Sequence, residues 1–156
     1  MIKLKNPYAE HPEYNCFGCS PNNPIGLHME FFKQDDEIVS TWSPGKNYQG
    51  FHDILHGGIQ ATMMDEIASW VVFVILETAG VTYRLQTVYR KPVRISKGPI
   101  TLKAKLKEQK RRIASIEVNL LDGEGSTCSE SRVEYFVLPR EKAEKEMHFP
   151  GKEAFL

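Results

Sequence analysis

The chain has 156 residues, 41% of them hydrophobic and 26% charged, which suits one folded domain with a real core. Twenty basic residues balance twenty acidic ones; that leaves no global field to hold nucleic acid or an anionic membrane. Three cysteines are an odd count, better suited to free thiols in a reducing cytoplasm than to a disulfide frame. Residues 1–7 carry no apolar run of signal-peptide length, and the run from Val71 to Leu76 is too short to span a bilayer.

Residues 1–26 are rich in Pro, Asn and Gly and are expected to form an irregular arm. Leu27 to Lys33 and Glu37 to Trp42 read as two strands across the turn Gln34-Asp35-Asp36. A loop with Pro44, Gly45 and Gly50 follows. The spacing of Ile59, Met63, Ile67, Trp70, Val71, Val74 and Ile75 predicts a helix from about Gly57 to Thr78, closed by Gly80. Val72, Phe73 and Leu76 lie on its other side, so its second half is apolar almost all round and must be buried.

From Val81 onward the pattern is that of strands. Thr82 to Lys91 is rich in Tyr, Thr and Val and stops at Pro92. Ile100, Leu102, Ala104 and Leu106 alternate with polar residues, as do Ala114, Ile116, Val118 and Leu120. Lys110-Arg111-Arg112 marks one hairpin tip and Asp122-Gly123-Glu124-Gly125 another, and Thr127 to Leu138 returns. The charged segment 139–156 is expected to fray. The domain proper is thus 27–138. One buried helix among consecutive hairpin-linked strands implies an α+β fold, an antiparallel sheet curved around a central helix.

The chemistry concentrates at His56-Gly57-Gly58 and at Asp65 inside the apolar helix. Glycines let a backbone approach a ligand, and a helix N-terminus offers free N–H groups to a developing oxyanion. A carboxylate in an apolar helix is either paired, for example with Arg84 or Arg90, or has chemistry to do. Glu66 is the rival carboxylate, read as a structural partner. Cys16-x-x-Cys19 is half of a zinc pattern, with His11 and His28 as further ligands. No second cysteine pair exists and Cys128 is remote, so a tight turn packed on the helix is the plainer reading and no metal or cofactor is expected.

These features resemble the hotdog-fold acyl-CoA thioesterases, specifically the phenylacetate-degradation-type branch of the superfamily that includes 4-hydroxybenzoyl-CoA thioesterase. Leu55-His56-Gly57-Gly58, Asp65 nine positions after His56, and Thr82 with Val88-Tyr89-Arg90-Lys91-Pro92 carry the likeness. The opening Cys16-Phe17-Gly18-Cys19 through Gly26-Leu27 supports it. The resemblance implies a hotdog fold and hydrolysis of an acyl- or aryl-CoA to free acid and CoA. Asp65 would be nucleophile or general base, Gly57 or Gly58 the oxyanion donor, His56 a group that orients or hydrogen-bonds around the carbonyl, and Thr82 a holder of the attacking water. Many relatives carry Asn six residues before the histidine; this chain has Gly50 there, beside Gln49, the candidate to replace it.

Met64, with Met63, Trp70 and Phe73, suits either an apolar pocket wall or plain core. Arg90 and Lys91 are the preferred partners of the CoA phosphates over the Lys107 to Arg112 tip. The resemblance further implies a homodimer or a dimer of dimers with sites shared between subunits. A non-catalytic acyl-CoA-binding module and an acyl-thioester dehydratase on the same fold are the alternatives weighed.

Overall fold

The computed structural model describes residues 1–156. It is a seven-stranded antiparallel sheet around one long helix. In chain order the elements are β1 (Ile2–Lys3), β2 (Phe32–Gln34), β3 (Glu37–Trp42), α1 (Gly57–Val74), β4 (Gly80–Tyr89), β5 (Ile100–Lys110), β6 (Ile113–Leu121), β7 (Thr127–Val137) and α2 (Arg140–Glu146). Spatially the strands run β1-β2-β3-β5-β6-β7-β4. The crossover through α1 therefore sends β4 to the far edge of the sheet, where it pairs only with β7.

The two periodicities sort the core. On β5 and β6, Ile100, Leu102, Ala114, Ile116, Val118 and Leu120 are buried while the residues between them mostly face solvent. α1 buries Met63, Met64, Ile67, Trp70, Val71 and Val74 against that concave face. Burying such side chains stabilises the fold by roughly 1.5–3 kcal/mol each relative to exposure.

Four expectations about elements are corrected. The helix ends at Val74, and Gly80 opens β4 instead of capping it. Glu77, in the left-handed region at φ 56°, makes the turn, and Thr78 N–H donates to Val72 O. The first full strand is shorter than Leu27 to Lys33, because the buried Leu27 and Met29 donate their N–H groups to Phe17 O and Gly18 O of the arm and His28 between them takes a left-handed φ of 53°. The strand expected over Thr82 to Lys91 runs instead from Gly80 to Tyr89.

The C-terminal segment does not fray. α2 buries Ala143, and Phe149 and Phe155 pack on the aromatic cluster of Trp70, Phe73 and Tyr8. Lys5 N–H donates to Phe155 O at 2.8 Å, tying both termini together. Two phenylalanines are enough to anchor a segment that otherwise looks solvated.

Candidate active site

The histidine-diglycine segment starts α1. His56 is the N-cap, and its Nδ1 accepts the Gly58 N–H at 2.9 Å. Accepting that bond leaves the ring proton on Nε2, so the imidazole presents an N–H outward. A Cβ on Gly58 would lie 3.0 Å from His56 Cε1, so the second glycine makes room for the ring that caps it. Gly58 N–H is thereby engaged, whereas Gly57 N–H bonds to no acceptor in the chain. Of the two glycines, Gly57 holds the donor available to an oxyanion, at the positive end of an 18-residue helix.

Gly57 is fixed from the other side by β4. The Tyr89 hydroxyl donates to Gly57 O at 2.6 Å. Together they border a cavity of about 320 Å³ with Leu55, Gln60, Arg90 and Lys91. Gln60 is buried and bonded at both ends: Nε2 donates to Leu55 O at 3.0 Å and Oε1 accepts from Ser129 Oγ at 2.8 Å. Arg90 grips Glu130 at 3.1 Å, and Lys91 lies 3.8 Å from Asp122. Both cations thus reach this cavity rim already held by carboxylates, Glu130 on β7 and Asp122 in the turn before it.

Asp65 lies eight residues further along α1, about 12 Å at 1.5 Å per residue. It is half-buried and pairs with neither Arg84 nor Arg90, which bind Glu134 and Glu130. Its Oδ1 accepts two hydrogen bonds, from Thr82 Oγ1 at 2.8 Å and from Tyr135 OH at 2.9 Å. The Tyr135 hydroxyl also lies 3.0 Å from Asp65 O, so one proton is shared between two acceptors. Burial, reinforced by the Asp65 charge, pushes the Tyr135 hydroxyl far above its ordinary range and keeps it a donor. Both bonds converge on Oδ1, and Oδ2 accepts none from the protein. The carboxylate is oriented by one oxygen and free at the other.

The structure therefore gathers the expected residues into two groups. Gly57, Arg90 and Lys91 meet at the helix N-terminus with His56 and Gly58 beside them; Asp65 and Thr82 meet two turns away. Gly50 packs beside His56, where an added Cβ would stand 3.4 Å from the ring, and Gln49 Oε1 is occupied by Asp53 N–H at 3.3 Å. Met64 is fully buried, and its sulfur accepts from Ser131 Oγ; in one chain it binds helix to sheet and has no surface to offer a ligand. Glu66 faces the Cys16–Cys19 turn. Burial and then the Cys16 charge push its carboxyl up to about 8.

Tyr135 and Tyr89 are site residues that sequence reasoning missed. The signal for Tyr135 is its place on the inward face of the last strand, where a buried hydroxyl needs a partner.

The sequence profile of the thioesterase superfamily matches residues 52–129, half of the chain and inclusive of both groups. The chain belongs to the thioesterase superfamily. Among solved structures, a thioesterase superfamily protein aligns over 78% of this chain with TM-score 0.70 and 23% identity. The aligned part is 59% of that protein's own chain. A thioesterase from Haemophilus influenzae aligns over 72% of this chain and 79% of its own, with TM-score 0.66 and 23% identity. A hypothetical thioesterase from Streptococcus pneumoniae, solved with coenzyme A, aligns over 72% of this chain and 87% of its own, with TM-score 0.65 and 24% identity. At these identities the likeness is one of fold, the curved sheet of the hotdog thioesterases around a central helix. No curated protein matches the sequence significantly.

Proposed function

We propose that this chain hydrolyses acyl-CoA or aryl-CoA thioesters to the free acid and CoA. The observation that carries the reading is Asp65: an aspartate oriented through Oδ1 by Thr82 and Tyr135 with Oδ2 unengaged. A thioester has weak resonance, so one base or nucleophile and one oxyanion donor suffice. Gly57 N–H polarises the carbonyl at the helix N-terminus, with His56 Nε2–H beside it. Asp65 Oδ2 takes a proton from the attacking water and the CoA thiolate leaves with the free acid formed; or Oδ2 attacks the carbonyl carbon itself, the thiolate leaves, and water hydrolyses the resulting acyl-aspartyl anhydride to the acid and Asp65. Arg90 and Lys91, at the rim of the cavity beside Gly57, meet the CoA phosphates. The coenzyme A bound by the Streptococcus pneumoniae thioesterase supports that choice of substrate.

Geometry also supports a homo-oligomer. A carbonyl cannot bridge an N–H and a carboxylate about 12 Å apart on one helix, so a second copy would supply one of them. β4 has the surface for it. Its outer edge is unpaired, and Val81, Tyr83, Leu85, Val88 and Tyr89 are between 37% and 58% exposed, a liability for an isolated chain. No helix is long and apolar enough to cross a membrane, and all three cysteines are free thiols; both fit work in the cytoplasm.

A thiol-release assay with a panel of aliphatic and aromatic CoA thioesters tests the reading. At least one class should be hydrolysed with kcat/KM above about 10⁴ M⁻¹s⁻¹. Release from every thioester that is no faster with the native protein than with Asp65→Asn would reject it.

A further inference from the structure

Glu66 sits one residue after Asp65 but faces the N-terminal arm. Its carboxylate is bonded by the Cys16 thiol at 3.4 Å and by Trp70 Nε1 at 3.3 Å. No lysine, arginine or histidine pairs with it. A half-buried carboxyl group beside two thiols is a cluster of acids with no counter-charge. The Sγ atoms of Cys16 and Cys19 and a Glu66 carboxylate oxygen all lie within 4.8 Å of one another.

We propose that Cys16, Cys19 and Glu66 bind a thiophilic divalent cation, zinc by the chemistry of its donors, with the fourth position open to the adjoining cavity. Around a tetrahedral zinc ion, bonds of about 2.3 Å to sulfur and about 2.0 Å to oxygen place a sulfur and an oxygen about 3.5 Å apart. The observed Cys16–Glu66 separation of 3.4 Å is already that of two ligands on one ion. Two thiolates select zinc over the hard cations calcium and magnesium.

The surroundings are those of an outer ligand shell. Cys19 Sγ lies 2.7 Å from the Tyr14 hydroxyl and 3.6 Å from Asn6 Nδ2. An amide nitrogen can only donate, so Asn6 gives this sulfur the kind of donor that a metal-bound thiolate accepts, and the Tyr14 hydroxyl can turn to give a second. Trp70 engages Glu66 Oε1 and leaves Oε2 toward Cys16. One of the two residues between the cysteines is packed on the carboxylate as well: a Cβ on Gly18 would lie 2.6 Å from the Glu66 carboxyl carbon. A side chain at this position would push the Glu66 carboxyl group away from the turn.

A cavity of about 420 Å³ adjoins the cluster, bordered by Cys16 and Glu66 and by His11, Tyr14 and His148. It supplies room for water or a small ligand on the fourth position. His28, a ligand considered from spacing, is engaged elsewhere, with Nε2 on Asn23 O. The ion would clamp the arm to α1, joining residues 16 and 19 to residue 66 by bonds stronger than the present thiol contact.

The test is a cobalt titration of the full-length protein, stripped with chelator and kept reduced. One equivalent should bind with sulfur-to-cobalt charge-transfer absorption and tetrahedral d–d bands, and zinc should displace it. Cys16→Ser and Cys19→Ser should each lose the charge-transfer band, and Cys128→Ser should keep it. Loss of an outer-shell partner costs about 10–100-fold in metal affinity, so Glu66→Gln, which removes a ligand, should weaken binding at least about tenfold. Native protein with no thiolate band overturns the proposal, whatever the variants do. So does a band that survives in the Cys16→Ser, Cys19→Ser double variant. Protein isolated without reductant as a Cys16–Cys19 disulfide, and metal-free once reduced, makes the pair redox-active and overturns it too.

Discussion

Asp65→Asn separates the chemistry of Asp65 from its structural part. An asparagine can keep its carbonyl oxygen where Oδ1 stands, still accepting from Thr82 and Tyr135 at 2.8 and 2.9 Å, and it places NH₂ at the unengaged Oδ2. Hydrogen bonds to a charged group contribute about 1.5–3 kcal/mol and neutral ones about 0.5–1.5. The two bonds therefore weaken by about 1 kcal/mol each, partly offset because no charge is desolvated. The stability loss stays under about 2 kcal/mol, a shift in Tm below about 8 °C for a domain of this size. Turnover should fall by about 10²–10⁴, the range for a lost general base. Thermal unfolding and thiol release on the same preparation give both numbers. A folded variant within tenfold of native turnover would take Asp65 out of the mechanism.

Tyr135→Phe removes one of the two donors to Oδ1 and should lower kcat about tenfold with little change in KM; an unchanged kcat would leave orientation to Thr82 alone. Replacing Arg90 and Lys91 together by Ala should raise KM more than it lowers kcat, and the effect should shrink at high salt; an unchanged KM removes them from phosphate binding. Asp122 is held below the usual carboxylate range, first by Ser126 N–H and also by Glu124 N–H. Its contribution to stability is therefore full above the unfolded pKa of about 3.9 and is lost as pH falls through the lower folded value. The stability gap between native protein and Asp122→Asn should narrow on acidification below about pH 4, and a gap independent of pH would refute this.

The parts of the fold legible in the sequence are those where one period repeats without interruption. The first half of β5 and most of β6 and β7 alternate because each has one face on α1, and α1 is apolar on most sides because the sheet wraps it. β4 shows no such alternation. It lies at an edge, exposed along most of its length, so its residues answer to something other than this chain's core, and its place beside β7 was not legible. Phe149 and Phe155 were hidden by the charges around them; one aromatic every few residues has no period. The His56 to Asp65 spacing marked the site, but the Oδ1 partner Tyr135 is 70 residues away and reaches Asp65 only through the folded sheet. The Cys16–Cys19 turn was legible as a turn on the helix; the convergence of Glu66 upon it was not.

The separation of Gly57 from Asp65 makes the strongest demand on the proposed mechanism. About 12 Å of rigid helix lies between them, and no side-chain rotamer closes that gap. If thioester hydrolysis needs both, each site must take Gly57 from one chain and Asp65 from another. Two variants test this, Asp65→Asn and Gly57→Pro. Proline at the first helical position removes the N–H without breaking the helix. His56, at φ −53° and ψ 130°, already has the extended conformation that a residue before proline requires. Each homodimer alone should be inactive. After free exchange at equal concentrations about half of the dimers are mixed, and each mixed dimer has one intact site of two. Recovery should therefore approach about a quarter of the native rate. Confirmed exchange with no recovery would show that a single chain completes its own site, and the roles given to Gly57 and Asp65 could not both stand.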